Sequence, residues 1–140
     1  MDAAAVDAFI DERRDPARPG PEGGKIVLAL DLDGRVIGDV TMKFGPSVNG
    51  HGEVGWIVHP DVSGQGYASE AAHAFIATAF LRWDLHRVFA QLDPRNVSSA
   101  RLCERLGMRK EAHLREESWF KGEWGDLAIY SVLKREWAAE

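Results

Sequence analysis

The run EVGWIVHPDVSGQGYASEAAHAF, residues 53–75, places a strand, a stop, a glycine-spaced turn and a helix start in direct succession. EVGWIVH (53–59) is rich in strand-forming residues, and Pro60 ends it because proline brings no N–H to a ladder. Gly64 and Gly66 follow, one residue apart. SGQGYASEAAHAFIATAFLRW (63–83) then becomes a helix, with Ala68, Ala71, Phe75, Ala79 and Trp83 near one face. Glycine at such a junction lets the backbone turn through φ > 0 and approach a ligand closely. The free N–H groups of the first helical turn, aided by the helix dipole, make an anion cradle whose natural occupant is a diphosphate. A lone glycine pair before a helix is equally explained by a plain tight turn.

Working outward, KIVLALDL (25–32) and RVIGDVTMKF (35–44) are strands, and Asp33-Gly34 between them signals a tight hairpin. GPSVNGHG (45–52) is a polar, glycine-rich loop. On the other side, RVFAQLD (87–93) is a strand ended by Pro94. NVSSARLCERLG (96–107) is a helix with Leu102, Cys103 and Leu106 inward and Gly107 as its cap. MRKEAHL (108–114) and GDLAIYSVLK (125–134) are strands, with a turn at Lys121-Gly122. Val6, Phe9 and Ile10 stand at helical spacing, so residues 2–14 are expected to form a short amphipathic helix, followed by the breaker cluster ARPGPEGG (17–24). The predicted order, α-β-β-β-α-β-α-β-β, is a mixed α/β sheet with flanking helices in one domain, 1–140.

Composition removes several classes. Hydrophobic residues make up 45% and charged residues 28%, as in a globular protein rather than a disordered one. No apolar run approaches the ~18–20 residues that span a bilayer, and the opening MDAAAVDAFIDERR lacks a secretory pattern. The expectation is a cytoplasmic protein without a membrane partner. A net charge of −5 argues against general nucleic-acid affinity, which needs clustered Lys and Arg. It is compatible with a cationic acceptor. Cys103 is the single cysteine, and the five histidines show no metal-ligand spacing, so no metal is expected.

SGQGYA (63–68) resembles the Gln/Arg-x-x-Gly-x-Gly/Ala pyrophosphate loop of the Gcn5-related N-acetyltransferase (GNAT) superfamily, with Ser63 where the pattern prefers Gln or Arg. NVSSARLCERLGM (96–108) is similar to the Asn-x-x-Ser…Gly-Phe pattern of the ribosomal-protein alanine/serine acetyltransferase branch. LREESWFKGEWGDLAIYSVLKREW (114–137) resembles the end of that branch. The likeness covers 25–137, three motifs in the right order. Members of the family begin with a strand and a helix that this chain is expected to lack, residues 1–24 being a partial helical region and loop.

The resemblance implies an N-acetyltransferase moving an acetyl group from acetyl-CoA to a primary amine, a small molecule or a protein N-terminus, by direct transfer in a ternary complex. A coenzyme A-binding or interaction module that has lost turnover is the alternative. Neither a P-loop lysine nor a Rossmann glycine triplet is present to support an unrelated nucleotide fold. The implied cofactor contacts are Ile57, Val58 and His59 on the strand end, Ser63, Gly64, Gly66, Tyr67 and Ala68 in the loop, and Asn96 and Ser99 on the second helix. Such transfer needs a neutral amine, a base for its proton and a donor for the leaving thiolate. Glu53 is the candidate base, at the place where several family members carry a glutamate; a solvated strand-start glutamate is the plain alternative. Ser99 is the candidate donor to the thiolate or the pantetheine arm, with helix capping as its plain alternative. Cys103 stands where many members have a tyrosine acid, and burial is the better reading for it. Glu116 and Glu117 border the acceptor cleft of the resembling branch, beside Arg115 and Lys121 as ion-pair partners. Trp119, Phe120 and Trp124 line a groove or a contact surface, and an uncovered sheet edge would favour a homodimer.

Overall fold

The computed structural model describes residues 24–45, 50–62, 64 and 66–138, and the backbone of 7–12. Among these residues, seven strands form one sheet in the order β1-β2-β3-β4-β5-β7-β6. They are β1 (Asp7–Glu12), β2 (Lys25–Leu32), β3 (Arg35–Phe44), β4 (His51–Val58), β5 (Arg87–Leu92), β6 (Arg109–Phe120) and β7 (Glu123–Leu133). The helices are α1 (Tyr67–Arg82), α2 (Val97–Arg105) and the short α3 (Lys134–Ala138). All neighbouring strands run antiparallel except β4 and β5, which are parallel and joined through α1. None of the helices among the described residues is long and apolar enough to cross a membrane.

The N-terminal expectation is corrected here. Within the residues expected to form a helix, Asp7–Glu12 is a strand paired with β2, Phe9 opposite Ala29 and Ile10 opposite Leu28. Pairing with an available strand overrides a helical spacing of only three apolar residues. The rest of 2–14 lies outside the described residues. No helix precedes β2 among the described residues, and the β2 edge is covered.

Alternation along the strands builds one core. Ile26 and Leu30 of β2, Val40, Met42 and Phe44 of β3, Val54 of β4, Val88 and Ala90 of β5, and Ala128 and Val132 of β7 are all buried on the helix side. Helix α1 meets this face with Ala71, Phe75 and Ala79 in one row and Ala72, Ile76 and Phe80 in the next. The alanines let its backbone lie close to the sheet while the larger residues fill the gaps. Helix α2 adds Leu102 and Cys103. Helix α3, missed in the sequence, is tied to α1 by Trp137, whose ring lies 4.7 Å from His73 and 5.9 Å from Phe80.

Two tight turns hold the hairpins. Asp33-Gly34 (φ 52° and 86°) and Lys121-Gly122 (φ 51° and 77°) both have two successive positive φ values, the pattern that matches strand twist. Strand β6 runs beyond the expected 108–114 to Phe120 because a bulge between Leu114 and Ser118 interrupts the alternation. Glu116 turns through φ 50° in that bulge. On the face away from the helices, Arg87 of β5 donates to Glu111 of β6 at 2.6 Å, and the Ser131 hydroxyl of β7 donates to the same carboxylate. This tie fixes the β6–β7 hairpin against β5.

Candidate active site

Strands β4 and β5 pair only at their beginnings, His51 with Arg87 through Glu53 with Phe89. Strand β4 continues to Val58 and stays paired with β3, while β5 turns away and stays paired with β7. From Val54 onward the β5 side of β4 has no strand partner. Unpaired backbone groups along such an edge must be met by water or by an extended ligand.

Helix α1 begins at one end of this opening. Its cap, Gly66, sits at φ 84° and provides no side-chain hydrogen bond. The N–H of Glu70 bonds to Gly66, and the earlier N–H groups of the first turn have no cap among the described residues. A Cβ placed on Gly64 or Gly66 would meet nothing within 4 Å, so both glycines face open space. The geometry is an anion cradle at the mouth of a cleft.

The cleft is a cavity of about 320 Å³ lined by Ile57, Val58, Gly64, Gly66, Tyr67, Ala68, Asn96 and Ser99 among others. Eight of the expected cofactor residues are thus brought together. Ile57 is 71% exposed, unusual for isoleucine unless a partner covers it. His59 is not part of this wall; its ring accepts a hydrogen bond from the Asp61 N–H at 3.2 Å. Ser63 lies outside the described residues. Sequence reasoning missed Ser69, Ser98 and Arg105, the last being the one charged side chain in the wall among the described residues. Their only sequence signal is position, on the first turn of α1 and along α2.

At its inner end the cleft meets a smaller cavity of about 220 Å³ that fills the gap between the diverging strands. Trp56, Asn96 and Ser99 line both. Asn96 caps α2, its Oδ1 accepting the Ser99 N–H at 3.1 Å. The Ser99 hydroxyl accepts the indole N–H of Trp56 at 3.2 Å. Trp56 therefore borders the gap. Cys103 is fully buried, and burial pushes its thiol up to about 12, so it stays protonated and packs as an apolar residue.

A third cavity, about 320 Å³, opens beyond β5 and shares Gln91, Leu92 and Asp93 with the gap. Its other walls come from Arg95 and the β6–β7 hairpin, including Phe120, Glu123 and Asp126. Arg95 is clamped by Asp93 at 2.8 Å and by Glu123 at 3.1 Å. Its hydrogen bonds hold the Asp93 carboxyl below the usual range. Asp126 accepts from His113 at 2.8 Å and from the Glu116 N–H in the bulge at 2.8 Å. The His113 bond, then the Glu116 bond, hold Asp126 low as well. Both carboxylates remain ionised at neutral pH. Glu116 and Glu117 themselves are exposed, and Glu53 is half-buried where β4 and β5 are still joined. No group of three metal-binding side chains exists among the described residues.

A parallel pair that splays beside a glycine-capped helix, within a sheet of this order, is the arrangement that the resemblance to the GNAT superfamily implies. The comparisons agree: residues 1–109 match the family model for the acetyltransferase (GNAT) domain, and the chain belongs to that family. The Bacillus subtilis N-acetyltransferase YnaD is 38% identical over 85 residues, 61% of this chain and 50% of that protein. YdaF of Bacillus subtilis, named as a candidate ribosomal N-acetyltransferase, is 32% identical over 82% of this chain and 63% of its own length. A crystal structure of a GNAT-family acetyltransferase from Bacillus anthracis is 31% identical with a TM-score of 0.72, covering 80% of this chain and 67% of that one. The chain therefore spans about half the length of YnaD and less than two thirds of that of YdaF.

Proposed function

We propose that the chain transfers an acetyl group from acetyl-CoA to a primary amine, a small molecule or a protein N-terminus, as a cytoplasmic enzyme working by direct transfer. One observation carries this reading: a run of cavities with shared walls leads from the uncapped start of α1, past Ser99, to a pocket holding two ionised aspartates. The first turn of α1 and the φ > 0 glycines take the diphosphate through backbone N–H groups. The free edge of β4 takes the amide-bearing pantetheine arm, as an added strand would. That delivers the thioester to the gap beside Ser99.

The acceptor enters from the aspartate-lined pocket, whose charge favours an ammonium over an anion. The amine must shed a proton, since an alkylammonium has a pKa near ~10. Glu53 is the base in this reading. Its register partner is Phe89, and alternation puts it on the sheet face of Gln91, which lines the acceptor pocket. The nitrogen then attacks the thioester carbonyl carbon, the C–N bond forms, and the C–S electron pair leaves on sulfur. Ser99 donates a hydrogen bond to that sulfur. Full proton loss from serine is not required, because a thiolate is a far weaker base than an alkoxide.

Release of free thiol from acetyl-CoA, measured over a panel of amines and N-terminal peptides, tests the reading. Acceptor-dependent release with an acetylated amine as product supports it. Coenzyme A binding without turnover on any acceptor favours the binding-module alternative. Glu53→Gln is expected to lower the rate most at low pH, where more acceptor is protonated, with cofactor affinity unchanged. A pH–rate profile superimposable on the parent's would assign the base to another group or to water.

We further propose a homodimer through the β6–β7 hairpin. Trp119, Phe120 and Trp124 are 60%, 68% and 56% exposed, a concentration of apolar surface at one tip. With β1 covering the edge of β2, the hairpin is the stronger candidate contact. Sedimentation at micromolar concentration should show a dimer that Trp124→Arg dissociates. A monomer in the parent rules the dimer out.

A further inference from the structure

The hydrogen bond between Trp56 and Ser99 has a fixed direction. An indole N–H can only donate, so the Ser99 oxygen must be the acceptor in that pair. The Ser99 backbone N–H is already committed to Asn96. One serine proton remains, and among the described residues it has no acceptor. A serine hydroxyl in a first helical turn ordinarily rotates and can bond back to the preceding backbone. Here the indole hydrogen occupies one side of the oxygen, and the hydroxyl proton cannot point at it. Trp56 and Ser99 both line the gap between β4 and β5, so a hydroxyl proton turned away from the indole has the gap open to it.

We propose that Trp56 is a positioning residue, whose donated N–H aims the Ser99 hydroxyl proton into the gap between β4 and β5. The role rests on the reading that the thioester lies there. When the amine attacks, the C–N bond forms and the C–S pair passes to sulfur. The amine proton goes to the base, Ser99 donates a hydrogen bond to sulfur, and water later protonates the thiolate. The chain from indole N–H to serine O–H to sulfur is cooperative, because each donor polarises the next. A tryptophan present for packing alone would serve equally well as phenylalanine.

Trp56→Phe keeps a ring in place and deletes the donor. Its kcat is expected to fall about five- to tenfold, the worth of one aimed hydrogen bond, with KM for acetyl-CoA unchanged. Made in the Ser99→Ala background, the same change should cost nothing further, since the group it aims is gone. Losses that multiply across the double variant, or an unchanged kcat in Trp56→Phe, overturn the proposal. A second readout does not depend on turnover. The chain has five tryptophans, and the indole N–H resonance absent from Trp56→Phe identifies residue 56. That resonance should move upfield in Ser99→Ala, and a stationary one also overturns the proposal. If no acceptor supports thiol release by the parent while the resonance moves, the acetyl-transfer reading has failed and takes the catalytic role with it. Turnover with a stationary resonance sinks the positioning role alone.

Discussion

Gly66→Val is expected to weaken acetyl-CoA binding by at least about 100-fold, the equivalent of roughly 3 kcal/mol. Two causes act together. The residue sits at φ 84°, where a β-branched side chain is strained by about 1–3 kcal/mol. Its Cβ would also project into the open space at the mouth of the cleft, where the diphosphate approaches the backbone. Loss of two charge-assisted bonds, about 1.5–3 kcal/mol each, is enough for the effect. Gly34→Val is the matched control, because Gly34 has φ 86° and open space but lies on the β2–β3 turn. Calorimetry should show normal affinity in Gly34→Val and none measurable in Gly66→Val. Equal affinity in both would remove the loop from the account.

Gly38→Ala is expected to be the most damaging single methyl addition among the described glycines. An added Cβ would lie 2.1 Å from the Ile57 carbonyl oxygen and 2.8 Å from the Val58 Cα, both backbone atoms that cannot swing aside. Gly38 pairs with Val58, and the next N–H, that of His59, donates to Ile37 at 2.6 Å. The end of β4 must therefore separate from β3. Overpacking of this kind costs about 3 kcal/mol, and it falls on the segment that walls the cofactor cleft. Thermal unfolding should shift down and coenzyme A affinity should drop together. An alanine variant with parent stability would mean that the β3–β4 contact is looser than described. Gly34→Ala again separates the effects, since no neighbour stands near its Cβ.

The elements that frame the candidate cofactor cleft were legible because their signals are local. Pro60 stops a strand, two glycines open a helix, and Asn96 stands three residues before Ser99, a capping spacing. The two hairpin turns were legible for the same reason. Segment 7–12 was misread because three apolar residues at helical spacing say little about a neighbour, and β2 supplied the pairing that decided it. The far half of β6 was missed because REESWF is charged and carries a bulge, so no alternation survives. Helix α3 is too short for periodicity, and only the packing of Trp137 on α1 holds it. The pocket proposed for the acceptor is non-local throughout. Asp93 follows β5, Arg95 precedes α2, and Glu123 and Asp126 belong to β7, so no window of sequence contains it. Trp56 carries no local signal for its proposed role, which rests on the direction of one hydrogen bond.

The central claim is that acetyl-CoA occupies the opening between β4 and β5, and amide chemical shifts on adding the cofactor test it most directly. The account predicts shifts concentrated at residues 54–58, along the free edge of β4, at 64 and 66–69, around the start of α1, and at 96–99, around the start of α2. Residues of β1, β2 and the Asp33-Gly34 turn should stay still. Saturable shifts that avoid these three segments, or no shifts at millimolar acetyl-CoA, would contradict it.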